Sequence, residues 1–202
     1  MDIRWYLSFK MTGWFCGGLL IVLALLSIIS WSLIFRKMAD FRRARRANAR
    51  FRSMAETEIP GEYAGFLASS SFYLIFHRVN KFPVGNERDL ERLEEEIKVE
   101  LNEYFENLNS GLPILGSITG VAPFIGLLGT VWGIMVIFSR MYSQVAGVSE
   151  MVAPGVAQAL ITTIAGLIVA IPALFFYNYF VMISRSLSGE AENYASRLIS
   201  RK

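Results

Sequence analysis

Cysteine and histidine occur once each in this 202-residue chain, and charge is missing from three long stretches. A single thiol, Cys16, excludes an intrachain disulfide and any metal centre built on paired thiolates, and leaves packing as its role. The lone His77 excludes a histidine cluster, and no paired carboxylates or nucleophile arrangement of an intramembrane enzyme is visible, so the chain reads as a non-enzyme that needs no cofactor or metal. Asp, Glu, Lys, Arg and His are absent from 11–35, 107–139 and 151–184. Each stretch exceeds the roughly 20 residues that a helix needs to cross about 30 Å of hydrocarbon. The same absence removes any ionisable group from the middle of a span, so the chain cannot relay protons by itself.

What remains describes a membrane protein: 53% hydrophobic residues and only 18% charged ones. Lys and Arg near helix ends stay in the cytoplasm. Directly after the first span comes RKMADFRRARRANARFR (36–52), eight basic residues against Asp40 alone. Beside an apolar span, such a run is a topology signal and a contact for anionic lipid, rather than a nucleic-acid site. The tail adds Arg185, Arg197, Arg201 and Lys202. Expected are a short N-terminus outside (1–10), a first span (11–35), a cytoplasmic helical region (36–110), a second span (111–139), an outside loop (140–150), a third span (151–184) and a cytoplasmic tail (185–202). The first span is too long for a cleaved signal peptide and is followed by basic residues, so it reads as an uncleaved anchor.

Within the cytoplasmic region, Leu90, Leu93, Ile97, Leu101, Tyr104 and Leu108 recur at spacings of three and four, which predicts an amphipathic helix running up to Gly111 and Pro113. Phe66 to Phe76 predicts a second packed helix after a break at Pro60 and Gly61. The nine acidic residues from Glu87 to Glu106 read as a solvated face or as a surface for a basic partner.

The second span is built unlike a plain lipid-soluble helix. It carries Gly126, Gly129 and Gly133, and Ala122, Gly126, Thr130 and Gly133 share one face at spacings of four, four and three. The third span repeats the design with Gly155, Ala159, Thr163, Gly166, Ala170 and Ala173, with Gln158 and Thr162 beside them. Small faces serve close helix packing or a pathway through the membrane. The hydroxyls of Thr130 and Thr163 line such a pathway or bond the carbonyl one turn back.

The stretch APFIGLLGTVWGIM (122–135), followed by MVAPGVAQALITTIAGLIVAIPALFFYNYF (151–180), resembles the last two spans of the MotA/TolQ/ExbB proton-channel family. The resemblance implies an all-α integral membrane protein of three transmembrane helices, N-terminus outside, with long helices extending into the cytoplasm. It also implies a homopentamer in the bacterial inner membrane, surrounding two transmembrane helices of a TolR- or ExbD-like partner that bears a membrane aspartate. A TolA- or TonB-like protein would receive the work. By position, Thr130 and Thr163 match the family's pore threonines, with Gln158 and Thr162 as neighbouring pathway candidates and Ala122, Gly126, Gly129, Gly133, Gly155, Ala159 and Gly166 as the packing or pore face. Gln158 stands in GVAQAL where many members read G-x-A-E-A-L, which removes a second titrating site. The short segment before the first span leads to an expectation of Tol-Pal-type envelope maintenance ahead of TonB energisation. A structural membrane scaffold and a gliding or motility stator are the alternatives.

Overall fold

A computed structural model describes residues 3–54, 64–67, 69–83, 85–141 and 149–201; within these ranges the side chains of 3–13, 64, 66, 140–141, 149–155 and 158 lie outside the description. All the regular structure among the described residues is helical: α1 (Ile3–Ser53), α2 (Ala64–Leu67), α3 (Ser71–Lys81), α4 (Glu87–Asn109), α5 (Leu112–Met141) and α6 (Ser149–Ile199). The chain is an all-α membrane protein, with three helices long and apolar enough to cross a bilayer, over Trp14–Ser53, Leu112–Ser139 and Ala159–Ile199. Both α1 and α6 are continuous over 51 residues, so the apolar stretches seen in the sequence are portions of longer helices. Pro60 and Gly61, and most of the loop at 140–150, lie outside the described residues.

The chain forms two compact units, one of residues up to Ile34 with Pro113–Tyr177, the other of Phe35–Leu112 with the residues from Asn178 onward. The first unit holds the apolar parts of α1, α5 and α6. Phe15 packs on Trp132 with ring centroids 4.4 Å apart, and Trp31 meets Phe176 edge-on. Cys16 is buried there.

The second unit is organised by an apolar seam along α1, where Phe41, Ala44 and Phe51 are buried at spacings of three and seven. Phe41 stacks on Phe180 of α6 at 5.4 Å, and Phe51 meets Phe76 of α3 and Tyr194 of α6 edge-on. Two polar residues share the seam and are paired rather than solvated. Asn48 lies buried among Ser70 and Ser71, donating to Ser71 Oγ at 3.1 Å and accepting from Ser70 Oγ at 2.8 Å. Lys37, only 3% exposed, donates to the Leu108 carbonyl at 3.0 Å and to Ser110 Oγ at 3.2 Å. Because the last carbonyls of a helix lack intrahelical donors and form the negative end of its dipole, this ammonium closes α4. Gly111 then takes a φ of 83°, a left-handed turn that glycine adopts without a Cβ penalty, before α5 begins.

The amphipathic reading of α4 agrees with its buried Leu93, Ile97 and Leu101, to which the structure adds Phe105. The apolar stretch from Phe66 is divided: the packed helix α3 starts at Ser71, because Ser70 is extended and its hydroxyl accepts from Tyr73 N. A serine in this position satisfies one of the free N–H groups of a first turn and defines where the helix begins. Arg78 of α3 holds Glu100 of α4 at 2.8 Å, and Tyr104 donates to the Ser69 carbonyl at 2.7 Å.

Burial pushes the Tyr104 phenol up to about 12, because the phenolate would lose its hydration. A raised value favours the neutral phenol in the folded unit, so its stabilisation is intact below about pH 10 and is lost as pH climbs through about 12. Tyr104→Phe should therefore cost about 1 kcal/mol at neutral pH and should flatten the alkaline loss of stability between those two values. Thermal melts of both proteins across that range, followed by circular dichroism, check it.

Candidate functional site

The small residues of α5 and α6 meet each other inside the first unit. A Cβ placed on Gly126 would lie 2.8 Å from the Thr162 carbonyl oxygen and 2.9 Å from Thr163 Cα. One on Gly166 would lie 2.6 Å from the Ala122 carbonyl oxygen, and one on Gly133 would lie 2.6 Å from Ala159 Cβ. At Gly129 it would run into the Thr162 side chain. The two helices thus run antiparallel in backbone contact, and the buried line on α5 is Ala122, Gly126, Gly129 and Gly133. On α6 the matching line is Ala159, Thr162, Gly166, Ala170 and Ala173.

The threonines differ from one another in this seam. Thr162 is fully buried, donates to the Ala159 carbonyl at 2.7 Å, and lies 3.1 Å from the Gly126 carbonyl. Thr163, half-buried at its edge, donates across the helices to the same Gly126 oxygen at 3.0 Å. Thr130, 7% exposed, donates to the Leu127 carbonyl of its own helix at 2.7 Å. The Thr130 and Thr163 hydroxyls, expected to act together, are therefore held on two consecutive carbonyls of α5. Spacing alone placed Thr163 on the small stripe and Thr162 beside it; the crossing of the helices places Thr162 under Gly129 and Thr163 at the flank. Gly155 and Gln158 lie on α6, but their side-chain surroundings lie outside the description.

One neighbour of the seam was not singled out from the sequence. Trp132 is in van der Waals range of Phe15, and its indole N–H is buried without a hydrogen-bond partner among the described residues. Its position beside Gly133 in a charge-free span was the available signal. Around the seam, the outer faces of α5 and α6 expose large apolar side chains such as Phe124, Leu128, Ile164 and Ile168. Among the described residues no group of His, Cys, Asp or Glu is placed to hold a metal ion. Chemically, the site offers hydroxyl lone pairs at the edge of a closely packed, uncharged helix pair.

Because the atoms facing Gly126 and Gly166 are backbone, they cannot swing aside. Gly166→Ala and Gly126→Ala should each cost about 1–3 kcal/mol by overpacking. Gly120, with nothing within 4 Å of the added methyl, should accept alanine with unchanged or slightly higher stability. Melting of the purified variants in one detergent separates the two classes.

Comparison with known proteins covers both this seam and most of the second unit. Residues 69–193 match the model of the MotA/TolQ/ExbB proton channel family. The biopolymer transport protein ExbB of Pseudomonas putida is 33% identical over 179 residues, 84% of this chain and 54% of the relative. The Tol-Pal system protein TolQ of Haemophilus influenzae is 31% identical over 173 residues, 79% of this chain and 76% of the relative. TolQ of Pseudomonas aeruginosa is 29% identical over 87% of this chain and 82% of the relative. The chain thus spans about half the length of one such relative and three quarters or more of the other two. With its charge-free, small-faced helix pair and a match running from α3 into the last helix, the chain belongs to the MotA/TolQ/ExbB proton channel family.

Proposed function

We propose that the chain is a stator subunit of a proton-driven motor in the bacterial inner membrane, N-terminus periplasmic and C-terminus cytoplasmic, with its copies assembled as a pentamer. The titrating acid is an aspartate on the membrane helix of a TolR- or ExbD-like partner enclosed by the ring, and a TolA- or TonB-like protein receives the work. The observation that carries this reading is the pair of hydroxyls, Thr130 and Thr163, held on adjacent carbonyls of a span that has no acid of its own. Each hydroxyl has one proton, which it gives to a carbonyl, and two lone pairs that remain to accept from a protonated carboxyl. When the carboxyl ionises, the same hydroxyl can rotate and donate to it instead. A threonine therefore serves both protonation states without moving its backbone. Thr162, buried under Gly129, belongs to the packing of the seam, which fixes the carbonyls on which the other two hydroxyls rest.

The driving energy is adequate for such work. At a membrane potential of roughly 150 mV, each proton delivers about 3.5 kcal/mol, several times thermal energy. A scaffold without transport is the second reading. It is favoured by the fact that Gly126, Gly129, Gly133 and Gly166 are already used within one chain, which leaves packing as a sufficient reason for them.

Removing the hydroxyl while keeping the volume distinguishes the two. Thr130→Val and Thr163→Val should retain assembly with the partner and lose energy transduction by at least about tenfold, the effect of one kcal-scale hydrogen bond at a working site. Thr→Ser, which keeps the hydroxyl and forfeits a methyl group, should keep most activity. Valine variants that assemble and work like the wild type would leave only the scaffold. Relatives of both names align at similar identity, so complementation of a tolQ-deficient and an exbB-deficient strain decides between envelope maintenance, the leading expectation, and uptake.

A further inference from the structure

The second unit carries two helix faces of opposite charge that find no ion-pair partners among the described residues. On α1, Arg36, Arg43 and Arg46 are exposed along one side, with Arg42 and Arg45 next to it, and none forms an ion pair with another described residue. The opposite side of α1 is occupied by Lys37, Phe41, Ala44, Asn48 and Phe51. On α4, Glu103 and Glu106 are exposed and likewise have no ion-pair partner among the described residues. They continue a side of the helix that includes Glu95 and Val99, while Leu93, Ile97, Leu101 and Phe105 face inward. Val99 is 54% exposed, an apolar side chain among glutamates.

The two faces also lie at one level. Lys37 is bonded to the Leu108 carbonyl, which fixes a common origin on the two helices. Tyr104 holds Ser69 while Asn48 holds Ser70, so α4 and α1 leave that origin in the same sense. At 1.5 Å per residue, Arg43 and Arg46 stand about 9 and 14 Å from the origin; Glu103 and Val99 stand about 8 and 14 Å from it. Copies arranged around an axis along the membrane normal keep every residue at its own level. In such a ring each copy uses two different surfaces, one toward each neighbour. A basic face and an acidic face at matching levels are what a contact of this kind requires.

We propose that the basic face of α1 in one copy docks on the acidic face of α4 in the next, with Arg43 at the level of Glu103, Arg46 at the level of the apolar Val99, and Glu106 nearer the origin. This rests on the ring-forming stator reading above. The occupant is a second copy of this chain; a membrane surface does not suit the acidic face, and the inner residues of the basic one lie beyond the first turn past the apolar span. Electrostatic complementarity of this type sets which neighbour is accepted and in which register, more than it sets total affinity. The exposed Ala39 and Ala49 on α1 leave room for another helix to approach between the arginines.

The test uses the full-length chain purified with its membrane partner, observed by native mass spectrometry, with helix content checked by circular dichroism. Arg43→Glu with Arg46→Glu, and separately Glu103→Lys with Glu106→Lys, should each reduce the assembled fraction about tenfold by placing like charges face to face. All four substitutions together should restore it. The wild-type ring should also fall apart more readily when salt is raised from about 0.1 M to about 1 M, where the screening length drops from roughly 10 Å to 3 Å. Reversed pairs that assemble normally, a fourfold variant that stays as weak as either pair, or a wild-type ring indifferent to salt overturns the contact while the ring stands. A wild-type chain that forms no ring at all overturns the assembly reading beneath it, and the contact with it.

Discussion

Backbone against backbone, at Gly126 and Gly166, is the contact on which the membrane part of this protein depends. In hydrocarbon there is no gain in moving an apolar side chain from lipid to a neighbouring helix, so association relies on dispersion at short range and on hydrogen bonds between helices. Glycine supplies the first by letting carbonyl oxygens approach where a methyl group would stand. Thr163 supplies the second, because the Gly126 carbonyl is within reach of its hydroxyl only at this separation. Thr130 keeps its place on the next carbonyl of the same helix. The positions of both hydroxyls therefore follow from the glycines.

How much of this was legible beforehand depended on whether one helix or two decided the answer. The face of α4 was legible because a single helix period orders Leu93, Ile97 and Leu101, and the three spans because an unbroken lack of charge needs no context. The choice between Thr162 and Thr163 was not. Adjacent residues differ by about 100° around a helix, and which of them faces the neighbour is set by how α5 crosses α6. The same holds for Gly129 and Thr130, neighbours in sequence that are both buried in the seam region.

Lys37 shows a different limit. Within a run of eight basic residues it reads as one more solvated charge, yet it is among the least exposed side chains of the second unit. The clue was its spacing: Lys37, Phe41, Ala44, Asn48 and Phe51 follow one another at four, three, four and three, a line that belongs to the packed side of a helix. Composition hid what periodicity displayed. The start of α3 was missed for a related reason, since three serines in succession look like a polar interruption until Ser70 is seen to hold Tyr73 N.

The unbroken length of α1 and α6 has a mechanical consequence. A helix of 51 residues is about 76 Å long and is stiff on that scale. Leverage is built in: a tilt of about 5° about one end of such a rod carries the other end through roughly 7 Å. A tilt too small to open a helix seam can thus become a displacement larger than a helix turn at the far end of α1, whereas α6 carries Pro172 inside its length, a residue that removes one helical hydrogen bond and favours a bend.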